Sequence, residues 1–215
     1  MKTNSSILKQ YLALLVLGFL LNLTAYESLR AAEPEPAMPQ ASVESSFDRG
    51  ALEGTLNDGI LFSPFLATQG RPTLNYELTE LQLGYMLTPV RGACFWRGNV
   101  ELVGSVFDGF IVEGRGTYVA GATVWLRYNF VPVDSRLVPF VQAGAGVCGT
   151  DLDRRLEGED FNFNLNLGAG ARYFITPKWS VNVEYRYQHI SNANLSSRNV
   201  GVNADGPMVS VSHYF

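Results

Sequence analysis

The chain has 215 residues and a formal net charge of −4, from 16 Lys and Arg against 20 Asp and Glu. That length suffices for one domain plus an export segment, and the absence of any basic patch excludes nucleic acid as a partner. The two cysteines, Cys94 and Cys148, lack zinc-type spacing, so neither a metal site nor another cofactor is expected.

Lys2 and Lys9 flank the start of an apolar run over about 11–25. This pattern predicts a secretory signal peptide within 1–32, cleaved somewhere over 25–32, with Ala25, Ala31 and Ala32 as candidate sites. Residues 33–46, rich in Pro, Glu and Ser, read as a flexible lead-in with too little apolar surface to order itself. No later run is long enough for a transmembrane helix. Barrel strands, however, cross a membrane with only about 9–11 residues each and leave a weak alternating signal.

From residue 47 to 215 the sequence divides into eight such segments, at about 50–62, 74–87, 95–108, 117–130, 137–148, 160–174, 178–191 and 205–215. In the sixth, Phe161, Phe163, Leu165, Leu167, Ala169, Ala171 and Tyr173 share one face, and Asn162, Asn164, Asn166, Gly168, Gly170 and Arg172 the other. In the seventh, Trp179, Val181, Val183, Tyr185 and Tyr187 oppose Asn182, Glu184, Arg186 and Gln188. Apolar residues outside and polar ones inside are the pattern of a membrane barrel. The expected fold is therefore all-β, an eight-stranded antiparallel transmembrane barrel of the bacterial outer membrane. Eight strands leave a lumen just wide enough to be filled by side chains, so Arg172, Glu184 and Arg186 are expected in a packed ion-pair network and not a pore. Aromatic residues such as Tyr118, Phe130, Phe161, Tyr173 and Trp179 suit interfacial girdles. Short turns at 131–134 and 175–177 belong to the periplasmic side, and the longer stretches at 149–159 and 192–204 to the outside. Cys94 and Cys148 then fall near opposite ends of the wall, too far apart for a disulfide.

The seventh segment ends Gln188-His189-Ile190-Ser191-Asn192-Ala193. His189 and Ser191 continue the outward row, about two strand rises apart at Cα. An imidazole can bridge that gap, take the serine proton and leave the oxygen free to attack an ester. Asn192 and the Ala193 N–H are candidate oxyanion donors. His213 shares the face but lies near the periplasmic end.

This stretch, followed by Asn199-Val200-Gly201-Val202-Asn203 and a final strand ending in Phe215, resembles the PagL-type lipid A 3-O-deacylases, also labelled acyloxyacyl hydrolases. The resemblance implies an outer-membrane serine esterase that removes the 3-O-linked acyl chain of lipid A without a metal. Its substrate would be lipopolysaccharide, reached among outer-membrane lipids. The terminal strand resembles those read by the barrel-assembly machinery during insertion. It also implies roles: His189 as base, Ser191 as nucleophile, Asn192 and Ala193 at the oxyanion. The family's orienting Glu falls, by direct spacing, on Asn203. Asp205 has the same outward parity as Asn203, and a two-residue register shift would bring it to the histidine instead. An alternative is a non-enzymatic small barrel, OmpA-like, serving adhesion or envelope integrity, or a degenerate deacylase.

Overall fold

Alternating residues commit each segment to a strand with one greasy and one polar edge, and neither edge is stable until the sheet closes. A computed structural model describes residues 41–63, 73–152 and 158–215. A short helix, α1 (Ala41–Ser45), precedes eight strands: β1 (Leu52–Leu61), β2 (Asn75–Met86), β3 (Gly98–Glu113), β4 (Tyr118–Phe130), β5 (Leu137–Thr150), β6 (Phe161–Thr176), β7 (Trp179–Ser191) and β8 (Val202–Tyr214). They form one closed antiparallel barrel in sequence order, sealed by β1 pairing with β8. The expected signal peptide and the first part of the lead-in lie outside the described residues.

Two boundaries differ from the sequence reading in ways that matter. β3 runs on through Asp108-Gly109, which resembles a turn, because Phe110 pairs with Tyr118 and Asn75 with Glu113. β8 begins at Val202, three residues before the expected start. Its Asn-Ala-Asp-Gly-Pro run looks like turn sequence, yet it forms strand. Pro207 offers no N–H, and it falls where the β1–β8 ladder is interrupted, between the Gly59–Met208 pair and the Phe62–Asp205 bridge.

Outward positions carry the exposed apolar side chains, among them Leu81, Leu83, Val124, Leu126, Leu165, Leu167, Val183 and Val209. Tyr118 and Phe161 stand at the long-loop end of this belt, and Phe130, Tyr173 and Trp179 at the short-turn end. No helix among the described residues is long and apolar enough to cross a membrane; strands do the crossing.

The lumen is packed. Arg172 lies 2.8 Å from Glu53 and 3.2 Å from Glu101, while Arg127 stands 3.3 Å from Glu101. Arg186 bridges Glu80 at 2.6 Å and Glu184 at 3.0 Å. Arg186 also sits 4.7 Å over the ring of Trp125. That ring needs Gly144 beside it, because a Cβ there would fall 2.6 Å from the indole. Removing one partner of such a network strands a desolvated charge, at a cost of about 3–5 kcal/mol. Arg172→Ala should therefore lower the unfolding free energy in a urea titration by that amount and move the midpoint down in proportion; an unchanged midpoint would show that the charges are individually dispensable.

The polar core is closed at both ends by apolar clusters that the sequence pattern did not announce. Leu61, Leu74, Leu78, Phe107, Ile190 and Met208 fill the long-loop end. Val43, Phe47, Met86, Val138, Phe174 and Tyr214 fill the short-turn end. The expected lead-in thus ends in ordered structure. Val43 and Phe47 pack beneath the barrel, Asn99 donates to the Phe47 carbonyl at 3.0 Å, and Ser46 donates to the Pro177 carbonyl at 2.8 Å. Burying two apolar side chains in the mouth offsets the cost of ordering this short segment. Cys94, in a 3-10 turn after β2, is exposed; Cys148, on β5, is buried; neither is bridged.

Candidate active site

β7 supplies two of the candidate residues from one row. The alternation that turns Gln188 and Ile190 into the lumen turns Tyr187, His189 and Ser191 outward, where each is half-buried. His189 Nε2 lies 3.1 Å from Ser191 Oγ. The third member comes from the neighbouring strand: register pairs His189 directly with Asn203, and His189 Nδ1 lies 2.6 Å from Asn203 Oδ1. An amide oxygen only accepts, so Nδ1 carries the hydrogen and Nε2 presents its lone pair to the serine hydroxyl. That is the tautomer a general base requires.

Asp205 does not serve the histidine. It lies opposite Tyr187, two residues along β8, and its carboxylate accepts the Tyr185 hydroxyl. No register shift occurs at this end of β7 and β8. Tyr187, expected only as part of the apolar wall, donates to Asn203 Oδ1 at 3.0 Å. Its parity, two residues before His189, was the available signal.

After Ser191 the chain leaves the sheet in a turn built from asparagines. Asn192 is fully buried; its backbone N–H donates to Asn199 Oδ1 at 3.1 Å and its Nδ2 to the Arg198 carbonyl at 2.7 Å. Asn192, expected as an oxyanion donor, thus has its backbone N–H and its Nδ2 engaged within the loop. Alternation turns it inward, and it braces the loop. Ala193 and Asn194 follow with φ of 50° and 64°, and the Ala193 N–H has no acceptor among the described residues. Two successive left-handed residues are costly for side chains with a Cβ, and the asparagine bonds hold them in place. Gly201, with φ of 71°, re-enters the sheet against the imidazole, where a Cβ would come 3.1 Å from His189 Cε1.

The dyad is flanked by lipid-facing residues. Ser191 pairs with Phe163, His189 with Leu165 and Tyr187 with Leu167, all three of these β6 residues exposed. Ten residue steps along β7 separate His189 from Trp179 at the short-turn rim. At strand rises and tilts usual for such barrels this is about 25 Å of height, the thickness of the apolar band. The dyad stands at the upper margin of that band. Among the described residues no group of three or more His, Cys, Asp or Glu side chains could hold a metal ion.

Comparison with known proteins returns a consistent picture. The family described as lipid A 3-O-deacylase (PagL) matches residues 68–212. No curated protein matches the chain. Among solved structures, the crystal structure of the outer membrane enzyme PagL is similar at 21% identity and a TM-score of 0.52, covering 74% of this chain and 97% of that one. Neisserial surface protein A is similar at 14% identity and a TM-score of 0.53, covering 77% and 97%. The N-terminal β-barrel domain of Pseudomonas aeruginosa OprF follows at 17% identity and 0.50, covering 78% and 98%. At these identities the structural likenesses establish the fold.

Proposed function

The chain belongs to the lipid A 3-O-deacylase (PagL) family, in the fold of an outer-membrane β-barrel, and on that footing we propose that it is a serine esterase releasing the 3-O-linked acyl chain of lipid A from the outer leaflet. The observation that carries this reading is the hydrogen-bonded series Asn203–His189–Ser191 on the lipid-facing wall, at the margin of the apolar band. A lipid ester arriving laterally meets the serine without leaving the membrane.

Ser191 Oγ attacks the ester carbonyl carbon while its proton passes to His189 Nε2. The resulting oxyanion accepts a hydrogen bond from the Ala193 N–H, which has no acceptor among the described residues. Collapse breaks the bond to the sugar oxygen, which takes the proton from His189. Water then attacks the acyl-serine with His189 again as base, releasing the fatty acid and restoring Ser191. Asn203 holds the imidazole in its reactive tautomer throughout. The acyl chain lies along Phe163, Leu165 and Leu167, which present apolar surface beside the dyad.

Mass spectrometry of lipid A from cells expressing the protein tests the proposal. Loss of one 3-hydroxyacyl mass is expected. Lipid A of unchanged mass would favour the non-enzymatic barrel, the reading that the uncharged Asn203 beside the histidine would then support. Gly201→Ala offers a graded check. The left-handed backbone costs about 1 kcal/mol with a Cβ present, and the methyl group displaces the ring it touches. Turnover is expected to fall roughly tenfold while the barrel still folds, since a small misplacement of a general base is expensive. Full activity in that variant would show the imidazole to be indifferent to its neighbour.

A further inference from the structure

Asn203 Oδ1 accepts two hydrogen bonds, from His189 Nδ1–H at 2.6 Å and from the Tyr187 hydroxyl at 3.0 Å. The second bond bears on a weakness peculiar to an amide. A carboxylate shows the same oxygen on either side, whereas an asparagine turned by 180° offers its NH₂ group instead. Turned that way, Nδ2 donates to His189 Nδ1, the ring hydrogen moves to Nε2, and the nitrogen facing Ser191 becomes a donor. A histidine in that tautomer cannot take the serine proton.

We propose that Tyr187 is a positioning residue that sets the orientation of the Asn203 amide and, through it, the tautomer of His189. With Oδ1 facing the site, the His189 Nδ1–H and the Tyr187 O–H find the two lone pairs of one oxygen, and both of these donor hydrogens are used. With Nδ2 facing the site, the phenol has to act as acceptor, and its own O–H is left without its partner on a wall that faces lipid. A phenol is a better donor than acceptor, and an unpaired hydroxyl beside apolar surface is penalised. Tyr187 thus favours the productive orientation by a bond that only that orientation satisfies. The residue lies two positions before His189 on the same row, so both donors reach Asn203 from one strand. The role is distinct from attack, proton transfer and oxyanion binding, and its effect on turnover rests on the esterase reading above.

The test has one arm that needs no activity. The chain contains two histidines, so His213→Gln leaves His189 as the only imidazole. Nitrogen-15 NMR of histidine-labelled protein in detergent micelles, at a pH where the ring is neutral, distinguishes the two tautomers. Protein with Tyr187 is expected to show a protonated Nδ1 and an unprotonated Nε2. Tyr187→Phe is expected to show exchange with, or conversion to, the Nε2–H form. An unchanged spectrum in Tyr187→Phe overturns the proposal.

The kinetic arm separates orientation from packing. Tyr187→Phe is expected to lower kcat roughly tenfold with KM unchanged in the Asn203 protein. In an Asn203→Asp background, where no wrong face exists, the same substitution is expected to cost less than about twofold. Equal losses in both backgrounds would mean that the phenol only fills space, and would overturn the proposal. A native protein that releases no acyl chain, yet changes tautomer in Tyr187→Phe, would sink the esterase reading and uphold this one.

Discussion

With Ser191 replaced by alanine, lipid A from expressing cells is expected to keep its full complement of acyl chains. The substitution removes the only hydroxyl among the described residues that is within hydrogen-bond reach of His189 Nε2, at 3.1 Å, and with it the covalent route. In serine hydrolases, loss of the nucleophile lowers turnover by about 10⁶-fold, the residue being what the oxyanion donors and binding still supply. The methyl group that remains is smaller and points to lipid, so the barrel should insert and resist denaturation as before. His189→Ala should cost about as much, and the double variant no more than either alone, because the two groups act as one unit. Acyl release surviving in Ser191→Ala would remove the serine from the mechanism, even if the protein remained a deacylase.

The second large effect runs upward. Asn203→Asp is nearly isosteric, so the oxygen 2.6 Å from His189 Nδ1 stays in place while the side chain gains a negative charge. An amide fixes the tautomer but leaves the imidazolium formed during attack without a counter-charge. Replacing a carboxylate by an amide at the equivalent position of a serine protease triad costs about 10⁴ in turnover, partly through the wrong tautomer. Because the tautomer is already correct here, the gain should be smaller, on the order of 10²-fold, measured as the initial rate of fatty-acid release. The change leaves Ser191 and the Ala193 turn untouched, so an effect on KM is not expected. A rate that does not rise would mean that proton transfer to His189 does not limit the reaction.

Much of the fold is written locally. The alternation of β6 and β7 assigns wall and lumen residue by residue, and the structure places Arg172, Glu184 and Arg186 in the interior ion network as that alternation requires. The ends of strands are less legible. Asp108-Gly109 and the run from Asn203 to Pro207 carry turn-forming residues, yet cross-strand partners hold both in the sheet. The apolar plugs were hidden for a related reason. Ile190 and Met208 sit on the lumen face near its end, where the polar row gives way, and Val43 and Phe47 lie in a segment whose composition resembles an unstructured linker.

The sequence by itself determined that His189 and Ser191 stand together on the outer face, because a spacing of two puts both on one side of the strand and the apolar row they continue marks that side as the lipid-facing one. Which β8 residue meets His189 belonged to the tertiary structure alone. The β7–β8 ladder selects Asn203 and leaves Asp205 to Tyr185, and the same pairing brings the Tyr187 hydroxyl to the amide. Period-two geometry acts within a strand, whereas register between strands is fixed by the whole closed ladder, and one shift of two residues along it would have exchanged an amide for a carboxylate beside the base.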